Sequence, residues 1–410
     1  MKVTWHTTTL ELAEPLRISR SVMHRRDAVW ISVEQGGLRG WGEAVSSDYL
    51  GLPTDTIVHH LTALRPLLER LPDPETAWED PAAAGLLQPD LPAGVLAAVE
   101  AALLDLTGKR SGRPAHQLLG TPHAPAAVTA RTIGIVAPVP AAAQAARLAV
   151  SGFTVLKVKA GSPDPAEDLA RVDAVRTGAP EASLLLDPNG AWTERRAHEL
   201  LPRFAALGVT AVEQPIAPGD HAALARVAKE SPIPVIADED AVSYEDAAAL
   251  AGLVQGVNVK LAKCGGVRAA LRIHEALRGS GTALMLGCLT ASSLGIAPAV
   301  HLADRARWVD LDGHLLLADD PWSGIGGRDG TVRPSGRAGL GVRRTEPETR
   351  TRTAAHTEAR TRTAVPGQAQ DGGQARDRGQ TQDREQARDR GSVGDRGSAG
   401  GRGEAEAAAP

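Results

Sequence analysis

The chain has 410 residues, 42% of them hydrophobic and 23% charged, with a formal net charge of −4. That balance supplies no basic footprint for nucleic acid, no apolar run of membrane length and no charged-then-apolar leader. Its two cysteines, Cys264 and Cys288, do not make a disulfide framework, so the expectation is a soluble cytoplasmic protein with neither nucleic-acid nor membrane partners.

In chain order, residues 1–125 mix strands and helices. "HTTTLELAEPLRIS" and "RDAVWISVEQGGLRGWGEA" read as strands around a Gly-Gly turn. "LPAGVLAAVEAALLDLTGKRSG" carries apolar residues at helical spacing, with a glycine stop at Gly108 or Gly112. From 126 to 313 the pattern changes. Short apolar segments, "ARTIGIV", "TVLKVKA", "SLLLDPN", "VTAVEQP", "PVIADED", "GVNVKLA", "TALMLGC" and "RWVDLDG", alternate with Ala/Leu/Arg-rich helical stretches. Alternation of this kind implies parallel pairing. Eight near-even repeats favour closure into a (β/α)8 barrel over an open doubly wound sheet.

Residues 314–344 read as a return to the N-terminal part, the two together forming an α+β capping domain over the barrel mouth. From Thr345 to Pro410 only Val365 and Val393 are large and apolar, "QARDRG" recurs at 374–379 and 386–391, and Arg alternates with Asp and Glu. Such a segment cannot bury enough surface to offset its chain entropy and reads as a disordered tail.

The predicted strands end in residues that do chemistry. Lys157 and Lys159 share one face of strand two, since i and i+2 of a strand point the same way. A lysine pair on a strand is ordinarily a solvated face, but this chain uses arginine for nearly every other cation, its lysines being Lys2, Lys109, Lys157, Lys159, Lys229, Lys260 and Lys263. Lysine, unlike arginine, sheds its proton when buried or set beside other cations. Strand three ends with Asp187 and Asn189, strand four with Glu213, strand five with Asp238 and Glu239, strand six with Lys260, and strand eight with Asp310 and Asp312.

An isolated Asp after a strand is usually a cap or turn residue. Three carboxylates on three successive strands would repel each other unless a cation sits among them. Asp187, Glu213 and Asp238 are thus a candidate oxygen-ligand site, and hard oxygens without nearby His or Cys select Mg2+ over zinc. Lys159 and Lys260 fall on opposite sides of that site. Lys159 is placed to act as a base, with Lys157 lowering its pKa and steadying negative charge on the substrate.

These segments, with "LLLDPNGAWT", "VEQP", "IADE", "VNVKLAKCGG" and "GCLTASSLG", resemble the enolase superfamily in its muconate-lactonizing-enzyme subgroup over residues 1–344. The resemblance implies Asp187, Glu213 and Asp238 as ligands of one Mg2+ per subunit, backed by Asn189 and Glu239. It implies Lys159 and Lys260 as an acid–base pair, and Lys263 as structural. In dipeptide epimerases of this subgroup a DxD on the eighth strand binds the substrate ammonium, which maps here to Asp310 and Asp312. Arg20 and Thr132 join them as expected substrate contacts, with Arg25 and Arg26 as further candidates for a side-chain carboxylate.

The implied reaction is a 1,1-proton transfer at the C-terminal residue of a dipeptide, by a homo-oligomeric enzyme. Two departures from the family pattern, Ser21 after "ISR" and Ala291 before "SS", put Ala-Glu specificity in doubt. An o-succinylbenzoate synthase, an N-acylamino-acid racemase or a muconate cycloisomerase on the same scaffold needs no ammonium site. A Schiff-base aldolase using Lys157 or Lys159 leaves the carboxylates unexplained, and a binding protein on a retired barrel leaves the complete site unexplained. "GIGGRDG" at 324–330 follows no strand–helix unit and is not read as a nucleotide loop. His301 and His314 are expected in supporting roles.

Overall fold

The computed structural model describes residues 1–345. The expected disordered tail therefore lies outside the described residues, apart from Thr345, whose amide donates to Pro321 O (2.9 Å). Strands β1 (Lys2–Ile18), β2 (Ser21–Gln35) and β3 (Leu38–Val45) form an antiparallel sheet in that order. The β2–β3 turn needs positive φ at two successive residues, which Gly36 (61°) and Gly37 (78°) supply. Pro15 falls where the β1–β2 register breaks, between Glu11 and Leu16, so its missing N–H removes no ladder bond. There Glu11 O accepts from the Ala318 amide (2.9 Å).

Helices α1 (Thr54–Arg70), α2 (Pro74–Glu79) and α3 (Ala93–Ser111) cover this sheet. α3 ends at Gly112, which takes the left-handed conformation (φ 68°), while Gly108 stays inside the helix. A side chain at Gly108 would stand 2.5 Å from the backbone of Gly339. β3 approaches α3 so closely that a Cβ on Gly40 or Gly42 would overlap the carbonyls of Ala102 and Ala98. Gly42→Ala is therefore expected to force the sheet off the helix at a cost of about 1–3 kcal/mol, read as a lower urea midpoint with an unchanged slope.

After α4 (Ala115–Leu118) and the short β4 (Ala127–Val128) the barrel begins. Its strands are β5 (Arg131–Ile133), β6 (Val155–Lys159), β7 (Ser183–Asp187), β8 (Val209–Glu213), β9 (Val235–Ala237), β10 (Gly256–Val259), β11 (Ala283–Gly287) and β12 (Trp308–Asp310). All pair in parallel, in sequence order. Across the seam the Ala130 amide donates to Val309 O (2.8 Å), drawing the sheet into a nearly closed barrel. Ala130, Leu185, Ala211, Ile236 and Met285 fill its interior.

The outer helices are α5 (Pro138–Val150), α6 (Pro165–Gly178), α7 (Glu194–Ala206), α8 (His221–Glu230), α9 (Tyr244–Leu250), α10 (Leu261–Cys264), α11 (Val267–Leu277) and α12 (Ser293–Val300). Two strands are shorter than their sequences suggest. β10 stops at Val259, so Lys260 is the residue before α10. β12 stops at Asp310, so Asp312 lies beyond the strand.

The "CGG" after α10 is the joint between cap and barrel. Gly265 and Gly266 have φ of 98° and 117°, and a Cβ on Gly266 would overlap Glu100 Oε2. That space lets Glu100, from α3, accept from the amides of Val267 (2.6 Å) and Arg268 (3.1 Å) at the start of α11. Burial pushes the Glu100 carboxyl up to about 7, only partly offset by those amides. Between its ordinary value and 7 the folded chain holds a proton that the unfolded chain has released. The stabilising contribution is thus full below pH 4.5 and is lost as pH rises through 7. Urea midpoints from pH 5 to 7 are expected to fall less steeply in Glu100→Gln than in the parent.

Among the described residues no helix is long and apolar enough to cross a membrane.

Candidate active site

The candidate residues collect at the C-terminal ends of the barrel strands. β6 presents Lys157 and Lys159, both buried among apolar neighbours because their strand runs through the core. Lys157 Nζ lies 2.8 Å from Asp310 Oδ2, 2.6 Å from Glu213 Oε2 and 3.1 Å from Asp187 Oδ2. Lys159 Nζ donates to Asp187 Oδ2 (2.6 Å) and Lys260 Nζ to Asp238 Oδ2 (2.7 Å). The strand order puts β6 and the end of β10 four strands apart in an eight-strand sheet, so Lys159 and Lys260 face each other across the mouth.

Burial alone would lower the Lys157 ammonium, but Asp310, Glu213 and Asp187 outweigh it and hold Lys157 well above its ordinary value. Lys260 is likewise held above its ordinary value by Asp238 and Glu213, against burial. Asp187 would be raised by burial but is held low by Lys159 and Lys157, and Asp238 is held low by Lys260 and Lys263 in the same way. Glu213 is the exception. Burial, then Asp187 and Asp238, push it up to about 8 against the pull of Lys157.

That exception bears on whether a metal fits. Among the described residues no three His, Cys, Asp or Glu side chains stand close enough together to enclose a metal ion, because each carboxylate is drawn to a lysine. Yet the Glu213 carboxyl is pushed up despite Lys157 beside it, and three oxygens of the candidate residues are buried without a hydrogen bond: Glu239 Oε2, Asn189 Oδ1 and Asp310 Oδ1. Buried acceptors of this kind are rarely left unsatisfied. An all-oxygen donor set suits a hard divalent cation.

Behind the carboxylates stands a network the sequence does not announce. Lys263 Nζ, fully buried, donates to Asp238 Oδ1 (2.6 Å), Asp238 O (2.6 Å) and Asn258 O (3.0 Å). Lys263, expected in a structural role, is brought beneath Asp238 by one turn of α10. Asn258 Nδ2 donates to Glu213 Oε1 (3.0 Å). Gln214, with φ of 37°, accepts at Oε1 from the Asp238 and Asp240 amides and ties the ends of β8 and β9 together. Asn189 (φ 52°) donates to Glu239 Oε1 (3.4 Å), so the two residues expected behind the ligands do meet.

The β1–β2 hairpin tip roofs the mouth. Arg17 O accepts from the Ile135 amide beyond β5 (2.8 Å). Arg20 reaches across to Glu239 Oε1 (2.9 Å) and Asn189 O (3.1 Å), with its guanidinium carbon 5.3 Å from the centre of the Tyr49 ring. Arg26 instead donates to Ser46 O within the cap and does not face the mouth.

Asp310 and Asp312 do not share a strand face. Asp310 turns to Lys157. Asp312 accepts from Arg131 Nη1 (3.1 Å) and from the amide of Thr132 (2.7 Å), which is how Thr132 enters the site. Beside Lys260 a small cavity of about 50 Å³ is walled by Ala44, Val45, Leu289, Ala291 and Ile296, room for little more than a few waters or a short side chain. His301 accepts at Nδ1 from the His116 amide (3.1 Å), and His314 bonds Gly326 O (3.0 Å), so "GIGGRDG" packs against a buried histidine.

Known proteins resemble this chain over both its N-terminal part and its barrel. Residues 1–120 match the family model described as mandelate racemase / muconate lactonizing enzyme, N-terminal domain, and residues 140–347 match the one described as enolase C-terminal domain-like. A hydrophobic dipeptide epimerase of Roseobacter litoralis is 34% identical over 350 residues, covering 83% of this chain and 98% of the relative. An N-acetyl-D-glutamate racemase of a Pseudoalteromonas species is 36% identical over 245 residues, covering 60% of this chain and 75% of the relative. The crystal structure of a dipeptide epimerase from Enterococcus faecalis, complexed with Mg and L-Leu-L-Tyr, superposes with a TM-score of 0.77 at 28% identity, covering 83% of this chain and 98% of that one.

Proposed function

The chain belongs to the mandelate racemase and muconate-lactonizing-enzyme family of the enolase superfamily and is an isomerase, and from that premise we propose that it is a dipeptide epimerase acting at the α-carbon of the C-terminal residue. The observation that carries this reading is the placement of Lys159 and Lys260, on opposite walls and each against a different carboxylate of one cluster. A Cα held between them is open to a base on one face and an acid on the other. The neutral lysine takes the α-proton and the opposite ammonium returns one, so the centre inverts with no net change in protons. Lys157, kept charged by its carboxylates, stabilises the enolate between the two transfers.

Asp187, Glu213 and Asp238 would hold one Mg2+ per chain, which when bound supplies positive charge for the substrate carboxylate and relieves the lysines of their carboxylate partners. Asp312 and Asp310 would take the substrate ammonium.

Arg20 is engaged with Glu239, and the wall beside Lys260 is apolar except for Glu43, whose carboxylate is taken up by Trp30 and Ser292. We therefore read the preferred C-terminal side chain as short and apolar rather than acidic. One observation favours a second reading: Asp312 is already ion-paired with Arg131, as an N-acylamino-acid racemase with no ammonium to bind would allow.

A deuterium screen separates the two readings. With Mg2+ in D2O, L,L-dipeptides are expected to gain one dalton at the C-terminal residue, and EDTA is expected to stop the gain. Labelling of N-acylamino acids but of no dipeptide would overturn the dipeptide reading.

A further inference from the structure

Asp310 and Asp312 are built differently. Asp312 is clamped by Arg131 Nη1 and by the Thr132 amide, both anchored in β5, and Arg131 is itself fixed on Leu315 O (2.9 Å). That carboxylate cannot move without breaking the first barrel strand's contacts. Asp310 has one mobile partner. Its Oδ2 accepts from Lys157 Nζ (2.8 Å), and its Oδ1 is buried with no partner at all. Lys157 in turn divides its charge between Asp310 and the carboxylates of Asp187 and Glu213.

Building on the dipeptide reading, we propose that the two aspartates divide the work: Asp312, positioned by Arg131, is the fixed anchor for the substrate ammonium, and Asp310 exchanges its Lys157 partner for that ammonium, so that binding of the amine releases Lys157 toward the reacting carboxylate. The physical basis is competition for one anion. An ammonium on Asp310 weakens the hold of Asp310 on Lys157, because a carboxylate already neutralised by one cation attracts a second less. Lys157 then has charge to give where negative charge grows, at the enolate. A substrate without the amine leaves Lys157 drawn to Asp310 and should react slowly even when bound. The amine thus acts as a signal of the correct substrate as well as a handle, and its absence is felt in turnover rather than in affinity alone.

The test compares Ala-X with propionyl-X, which differs only by replacement of the ammonium with hydrogen, for any X that the parent enzyme labels. In the parent, propionyl-X is expected to show both a raised KM and a kcat lowered about tenfold or more, within the usual span of coupling between two groups. Asp312→Asn and Arg131→Met should raise KM for Ala-X with little change in kcat, and Arg131→Lys should recover part of the loss.

Asp310→Asn should raise kcat for propionyl-X toward that for Ala-X, because Lys157 is no longer held away from the reacting carboxylate, while raising KM for Ala-X. If Asp310→Asn raises only KM, as Asp312→Asn does, the two aspartates are equivalent anchors and the proposal is wrong. If the parent labels no dipeptide, the underlying reading fails instead, so the two failures are distinct. Melting temperatures of each variant guard against loss of folded protein.

Discussion

Lys260→Ala is expected to abolish inversion of the α-carbon, with the rate falling about 10³-fold or more, as loss of a positioned acid–base group does. No other side chain can take its place. The nearest ammonium, Lys263, spends its three donors on Asp238 Oδ1, Asp238 O and Asn258 O, and lies fully buried beneath the carboxylate. Lys159 stands on the opposite wall and, in the mechanism proposed above, serves only the other face of the substrate. The variant should therefore keep half the reaction. The epimer whose α-hydrogen faces Lys159 should still exchange it with D2O, without inversion, while the other epimer should not exchange.

Lys159→Ala should show the mirror image, exchanging only the other epimer. Chiral chromatography read against mass spectrometry separates the two results. Inversion near the parent rate in either variant would remove that lysine from the chemistry. Equal loss of exchange for both epimers in a folded variant would mean that one lysine serves both faces.

How much of this was legible in the sequence depended on whether period and spacing survive the ends of elements. The eight apolar segments were long enough to mark eight parallel strands, and their last polar residues were found where expected, because a strand's direction fixes its terminal side chain. The spacing argument failed at two places where the strand stops early. Asp310 and Asp312 were read as one face of a strand, but β12 ends at Asp310, and the turn that follows sends Asp312 to Arg131 instead of to Lys157. Lys260 was read as the end of strand six, but β10 ends at Val259, and a short helix folds Lys263, expected only in a structural role, under Asp238.

Gln214 and Asn258 gave no signal at all. A buried amide that satisfies backbone groups of a neighbouring strand looks, in sequence, like any polar residue near a turn. Nor did the double glycine after α10 carry a reading. Its meaning, room for Glu100 from another domain, needs the three-dimensional contact.

Asp238→Asn should be the most damaging single change to stability in the site. Asp238 is the shared counter-ion of two buried ammonium groups, Lys260 at Oδ2 and Lys263 at Oδ1, with side-chain exposures of 12% and 0%. An isosteric amide keeps the shape and removes the charge. Lys260 and Lys263 then face each other with no anion between them, and breaking a buried pair in this way costs about 3–5 kcal/mol.

Urea unfolding in EDTA, where no added cation competes for the carboxylates, should show this as a large fall in midpoint. The cause can be isolated by a cycle. Lys263→Met alone leaves Asp238 with Lys260 as its partner and should cost less than Asp238→Asn. Adding Lys263→Met to Asp238→Asn should return part of the lost stability, because it removes the cation that was stranded. If the double variant is less stable than Asp238→Asn by the full cost of Lys263→Met, the two residues act independently, and the damage comes from lost packing or backbone contacts rather than from an uncompensated charge.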